Sequence, residues 1–199
     1  MVAAEHPAHA LYYGQKTYLR PYAAGFSDAE VERIYRWNQD PEVLRWSGGS
    51  PLRTTLDEFK KNFQAERNPS DAHRRPFLIF TLDGELIGRT GLFDIDHRRR
   101  EAELGIVLGE KRYWGQGYGS DALNALLRYV FERTDLDRVY LFTYADNHRA
   151  QRAFEKAGFR FVGKHRKFSW ELGMHDEFEM EVRRHDWPRL AHAQASTKK

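Results

Sequence analysis

Glu101–Ser120 reads EAELGIVLGEKRYWGQGYGS. Its first eight residues form a strand-like apolar run. A glycine-rich loop over Gly109–Gly119 follows, and then a helix from Ser120 to about Arg133 with Leu123, Leu126, Leu127 and Val130 at helical spacing. Gly115, Gly117 and Gly119 alternate, so backbone N–H groups can approach a ligand without Cβ obstruction. A helix N-terminus aimed at the same place adds unpaired amides and the positive end of a dipole, and a pyrophosphate is the natural occupant. No Gly-Lys-Ser/Thr follows, so this is not a P-loop. No βα unit opens the chain, so it is not a dinucleotide fingerprint either. On the loop alone, ligand binding and plain turn chemistry both stand.

Outward from this stretch the pattern is α+β. Thr17–Tyr22 alternates and reaches Pro21, which predicts a first, edge strand. Ser27 or Asp28 caps a helix to about Trp37, with Val31, Ile34 and Tyr35 on one face, and Asp40–Pro41 closes it. Arg45–Pro51 is expected as a loop. Thr55–Glu58 matches a capping box, and Leu56, Phe59 and Phe63 form the buried stripe of a second helix. A meander follows: strand Pro76–Leu82, the turn Asp83–Gly84, strand Glu85–Ile95, the polar turn Asp96–Arg100 and strand Glu101–Leu108. Past the glycine loop and its helix come a strand Arg138–Ala145, a helix Asn147–Ala157 with Gly158 at its C-terminal cap, a strand opening at Phe159–Val162 and a last strand Glu177–Arg183. The expected organisation is an extension over 1–16, one domain over 17–187 and a flexible tail over 188–199.

The 199 residues are 41% hydrophobic and 31% charged, enough for a packed core under a solvated surface. With no cysteine, disulfides, thiolate nucleophiles and Cys metal sites are excluded, and a reducing, cytoplasmic setting is expected. The first eleven residues lack a basic start followed by an apolar core, and the longest apolar run, near Phe77–Phe80, is too short for a membrane span. Net charge is +3, with basic and acidic residues interspersed. Arg74–Arg75 and Arg98–Arg100 read as solvated turns rather than a nucleic-acid stripe.

The second informative stretch is Asn147–Phe159, NHRAQRAFEKAGF. Strand, glycine loop and helix, then a strand and an Asn-led helix ending in Gly-Phe, resemble the GNAT acetyltransferases. WGQGYG is similar to that family's Gln/Arg-x-x-Gly-x-Gly/Ala segment, with Gly117 and Gly119 in the small positions and Trp114 where Gln or Arg is usual. Leu19–Arg20, Asn38–Val43 and Ala102–Gly105 resemble the RimJ/RimL branch, and the likeness covers about Thr17–Trp187. It implies an α+β GNAT fold: a central mixed, mostly antiparallel sheet with flanking helices and a V-shaped splay between two central strands. It implies acetyl-CoA as co-substrate, lying between Glu101–Leu108 and Arg138–Ala145. The pantetheine arm would pair with backbone near Ile106, Val107 and Leu108. Trp114, Gly115, Gln116, Gly117, Tyr118, Gly119 and Ser120 would hold the pyrophosphate. Asn147 would lie beside the arm, Arg152 (or Arg149) near the 3′-phosphate, and Phe154 beside the thioester.

Amine attack on a thioester needs a deprotonated amine, whose pKa is about 10.4 for a lysine-type group and about 8 for an α-amine. Glu103, in the family's Glu-x-Gly position, is the first choice of base, acting through desolvation or a water chain. Glu101, on the same strand face, is second. Many members of the family carry a Tyr where this chain has Phe154, which cannot donate a proton. Tyr144, Ser169 or a water is then the candidate acid, unless the thiolate leaves unassisted. His148 and His175 have no partner at metal-ligand spacing, so no metal site is expected. Trp46, Trp170, Glu171, Asp176 and Glu177 are candidates for an aromatic and acidic mouth toward a cationic amine. The acceptor is expected to be a peptide N-terminus or a small molecule, with no nucleic-acid or membrane partner. The competing class is a non-catalytic, acetyl-CoA-binding regulatory module, which Phe154 favours and Glu103 with an intact glycine loop disfavours. Monomer and homodimer both stay open, dimers being common on general grounds.

Overall fold

Helix caps set the frame. Ser27 and Thr55 accept hydrogen bonds from the backbone of Glu30 and Glu58, whose carboxylates bond back to the capping residues. These reciprocal caps start helices α1 (Asp28–Trp37) and α3 (Leu56–Ala65). Asp40–Pro41 does more than end α1. Asp40 caps a further helix, α2 (Pro41–Ser47), with Pro41 in its first turn and Gly48 closing it in the left-handed conformation. The expected loop therefore begins only at Gly48, and Arg45 and Trp46 are helical.

The computed structural model describes residues 11–66, 71–169 and 172–187. Its strands are β1 (Tyr12–Tyr13), β2 (Thr17–Pro21), β3 (Arg75–Thr81), β4 (Leu86–Asp96), β5 (Glu101–Leu108), β6 (Arg138–Tyr144), β7 (Arg160–Ser169) and β8 (Gly173–Arg183). They form one sheet in the order β1-β2-β3-β4-β5-β6-β8-β7. Two long helices complete the described fold, α4 (Tyr118–Arg133) and α5 (His148–Lys156). The β2 strand is not the edge, because β1 pairs with it through Tyr12↔Leu19 and Tyr13↔Tyr18. The last hairpin is longer than its apolar content suggests: β8 starts at Gly173, so His175 and Asp176 belong to a strand and not to a loop.

The middle of the sheet is buried on both faces. Along β3, Phe77 and Ile79 join one apolar cluster with α4, while Leu78 and Phe80 join a second cluster with α1 and α3. This explains a run without polar alternation in a strand of an antiparallel meander. On α4, Leu123, Leu126, Leu127 and Val130 are wholly buried, each worth roughly 1.5–3 kcal/mol of apolar transfer.

The one parallel pairing among the described residues decides the site. β5 and β6 meet only at Glu101↔Arg138, Ala102↔Val139 and Glu103↔Tyr140. Beyond Glu103 the strands diverge, and among the described residues that edge of β5 from Leu104 to Leu108 has no strand partner. Arg138 closes the joint, with its guanidinium 3.0 Å from Glu101, 2.6 Å from Glu179 and 2.6 Å from Glu181. β5, β6 and β8 are thereby tied at the closed end of a V.

Candidate functional site

A cavity of about 420 Å³ fills the V. Its walls are Glu103 to Leu108 of β5, Phe142 to Tyr144 of β6, the glycine loop, the first turns of α5 and the end of α2. At the outer end, Gly115 and Gly117 have φ of 73° and 86°, a region that disfavours any side chain. Gly117 is the N-cap of α4 in place of a hydrogen-bonding side chain. The first amides of a sixteen-residue helix therefore face the loop without a side-chain acceptor. Helix α4 starts at Tyr118, two residues earlier than its sequence suggests, which brings its N-terminus closer to the glycines.

Across the gap, Asn147 caps α5 by accepting from the Ala150 amide at 3.2 Å. It is buried and lines the cavity with Ala150, Ala153 and Phe154. Trp114 is anchored by its indole N–H, which donates to the Leu108 carbonyl at 2.8 Å. The Arg149 guanidinium lies 3.7 Å from the centre of a Trp114 ring, so the pair spans from the glycine loop to α5.

At the inner end stands Glu103, half-buried and with no ion pair among the described residues. Burial pushes its carboxyl up from the usual carboxylate range; Asp94 and Glu177 push the same way and Lys167 opposes them. Glu101, two residues away, is committed to Arg138 and to Arg99 at 3.5 Å, and it is not part of the cavity wall. Glu177 enters the wall from β8, 2.8 Å from the Lys167 ammonium and 3.2 Å from His175 Nε2. The His175 ring stands edge-on to Tyr144 at 5.2 Å. Tyr144 lines the cavity, and its hydroxyl reaches to 3.0 Å from where a Cβ on Gly48 would be.

The structure thus brings together Glu103, Tyr144, Ile106, Val107, Leu108, Trp114, Gly115, Gly117, Gly119, Ser120, Asn147, Arg152, Phe154 and Trp46. Four expected positions differ. Gln116 and Tyr118 belong to the loop but not to the cavity wall: the Gln116 amide bonds back to the Arg112 carbonyl, and Tyr118 packs on Tyr113 with ring centres 4.7 Å apart. Asp176 turns away to Lys164 at 2.7 Å, because neighbours on a strand face opposite ways; Glu177 takes the place expected of it. Ser169 is likewise outside, its hydroxyl accepting from the Leu172 amide. Trp170 and Glu171 lie outside the described residues. Sequence reasoning missed Val43, which α2 brings to the wall beside Ser47 and Gly48 of the segment Arg45–Pro51 expected on the substrate side, and Arg149 as more than an alternative. Among the described residues no three His, Cys, Asp or Glu side chains are grouped to hold a metal, and no helix is long and apolar enough to cross a membrane.

Comparison with known proteins agrees with this geometry. Residues 18–160 match the acetyltransferase (GNAT) domain family. The acetyltransferase PseH of Campylobacter jejuni is 23% identical over 146 residues, 73% of this chain and 86% of the relative. YdaF of Bacillus subtilis, a protein named for ribosomal N-acetylation, is 33% identical over 95 residues, 48% of this chain and 51% of its own length. The crystal structure of the spermidine N-acetyltransferase from Vibrio cholerae in complex with CoA and spermine superposes with a TM-score of 0.73 at 22% identity, covering 85% of this chain and 96% of that one. The chain belongs to the GNAT acetyltransferase family and is an acyl-CoA-dependent N-acetyltransferase, moving an acetyl group from acetyl-CoA to an amine.

Proposed function

We propose that the acceptor is a small cationic primary amine, drawn into the inner end of the V by Glu103 and attacking in a ternary complex. The observation that carries this is a half-buried carboxylate in the cavity wall without a counter-ion among the described residues, reinforced by Glu177. A desolvated anion of this kind favours an ammonium partner. The wall also fits the donor. It offers an unpaired strand edge for an amide-bearing arm, a glycine loop open at Gly115, and a half-buried Arg149. When bound, acetyl-CoA supplies the acetyl group as a thioester. Trp114, Gly115, Gly117, Gly119 and Ser120 hold its phosphates, Ile106 to Leu108 and Asn147 hold its arm, and Phe154 packs beside them.

Glu103 then orients the ammonium and takes its proton, directly or through a water; a carboxyl pushed up by burial suits that task better than an ordinary glutamate. Tyr144 is a hydroxyl in the wall that can return a proton to the leaving sulfur. Trp46 closes the acceptor side. The domain is assigned to residues 17–187 in a cytoplasmic protein. Self-association fits the outer hairpin, which exposes Phe161, Phe168 and Met174, and is read by sedimentation. The second reading, a peptide N-terminus as acceptor and membership of the RimJ/RimL branch, is favoured by the local identity with YdaF.

The test incubates the protein with acetyl-CoA and a panel of polyamines, amino sugars, amino acids and short peptides, following thiol release and product mass. Acetylation of small amines, sharply reduced in Glu103→Gln, supports the proposal. Turnover on peptides alone supports the second reading and removes the first.

A further inference from the structure

The segment Gly115–Gly119 supplies amides but no formal charge, and two cations stand at its flanks. Lys16, in the turn between β1 and β2, donates from its ammonium to the Gln116 carbonyl at 3.0 Å and lies 5.2 Å from the Tyr118 ring centre. Its placement is built. The Asp121 carboxylate, in the first turn of α4, accepts from the amides of Gln15, Lys16 and Thr17 at 2.8, 2.9 and 2.9 Å and from the Thr17 hydroxyl at 2.8 Å. Gly14 makes room, since a Cβ there would collide with that same carboxylate. Four donors thus satisfy an anion that would otherwise repel a phosphate at this helix end, and the turn they hold carries an ammonium instead.

On the other side, Arg149 is half-buried in the cavity wall and stacked on Trp114, which Leu108 anchors. Neither cation has a carboxylate ion pair among the described residues, whereas nearby Lys111, Arg112 and Arg45 are paired with Asp40, Glu85 and Asp146. A partly desolvated guanidinium without a counter-ion, beside a loop of free amides, awaits an anion.

We propose that Lys16 and Arg149 form a two-cation clamp on the phosphates of the acyl donor, with Asp121 and Trp114 as the residues that position them. This rests on the reading that the glycine loop takes those phosphates. The test measures donor affinity by calorimetry and donor KM for acetyl-CoA, for acetyl-3′-dephospho-CoA and for the phosphate-free S-acetylpantetheine. Lys16→Ala and Arg149→Ala each weaken both CoA forms about tenfold, the scale of one charge-assisted contact, and leave the acetylpantetheine KM unchanged. Arg149→Lys recovers part of the loss. Asp121→Ala added to Lys16→Ala costs nothing further in donor affinity, because the ammonium it positions is already gone. Equal losses on all three donors would make both residues structural and overturn the clamp, as would less than a twofold change in the CoA forms. If the unaltered protein discriminates none of the three donors, the phosphate-loop reading itself fails, a result distinct from failure of the clamp. Lys16 is exposed, so its variant reports even where Asp121→Ala lowers the melting temperature.

Discussion

Replacing Arg138 by methionine tests whether the charged joint holds the V together. The guanidinium is 2.6, 2.6 and 3.0 Å from Glu181, Glu179 and Glu101, whose side chains are only 4, 17 and 19% exposed. Removing one partner of a buried ion pair costs about 3–5 kcal/mol. Each carboxylate keeps a second partner: Arg160 and Arg183 for Glu181, His165 for Glu179 and Arg99 for Glu101. The lower end, about 3 kcal/mol, is therefore expected. Glu181 gives an independent measure. Burial opposes its ionisation, but hydrogen bonds from Arg183, Arg138 and Arg160 prevail and hold its carboxyl down to about 2 from 4.5, which corresponds to roughly 3 kcal/mol shared among three arginines. For a chain of this size, the loss of Arg138 lowers Tm by about 6–12 °C.

The sign with pH follows from the same shift. A carboxyl depressed in the folded state stabilises above its unfolded pKa, and the contribution fades as pH falls from 4.5 toward about 2. In Arg138→Met the depression is smaller, so less is lost on acidification, and the gap to the unaltered protein narrows. Thermal unfolding followed by circular dichroism at neutral pH and at about pH 3 reads both quantities. A fall in Tm under about 2 °C at neutral pH, or a gap that widens in acid, would refute an electrostatic joint.

Three further outcomes concern the site. Glu103→Gln lowers kcat/KM by about 10²- to 10⁴-fold with donor affinity retained; its pH–rate profile loses the acidic limb, which in the unaltered protein lies above the ordinary carboxylate range because burial raises Glu103. Gly117→Trp abolishes acetyl-CoA binding by calorimetry while the far-ultraviolet spectrum persists, since a side chain at φ 86° displaces the loop. Tyr144→Phe lowers kcat more than it raises the acceptor KM if the hydroxyl serves the leaving sulfur, and an unchanged kcat transfers that role to water.

Much of this architecture was legible because its signals are local. Ser27 with Glu30, Thr55 with Glu58, Asp83–Gly84 and the alternating glycines each act within a few residues. Helix α2 was hidden because Asp40–Pro41 reads equally as the stop of one helix and the start of the next, and seven residues are too few for a period to show. Both strands of the outer hairpin were expected, but not their length: β7 is largely exposed, so apolar alternation does not carry them out to Ser169 and Gly173. Of the two adjacent acids expected at the mouth, Asp176 and Glu177, only Glu177 lines the cavity, because the parity of a strand depends on its register, which tertiary pairing sets. Lys16 lies 100 residues from Gln116 and carries no local mark at all.

The two glutamates of β5 show how one joint can produce chemistry. Glu101 and Glu103 lie on the same strand face and differ by one step along the diverging pair. Glu101 sits opposite Arg138 in register and spends its charge on the joint. Glu103 sits opposite Tyr140 at the last paired position, where β6 turns away and offers no cation. The divergence that opens room for a thioester arm also strips Glu103 of a strand neighbour that could neutralise it. Burial then raises its proton affinity, and Glu177 on β8, already tied to Lys167 and His175, adds negative potential without competing as a base. The carboxylate without an ion pair among the described residues is therefore the one at the last rung of the β5–β6 ladder.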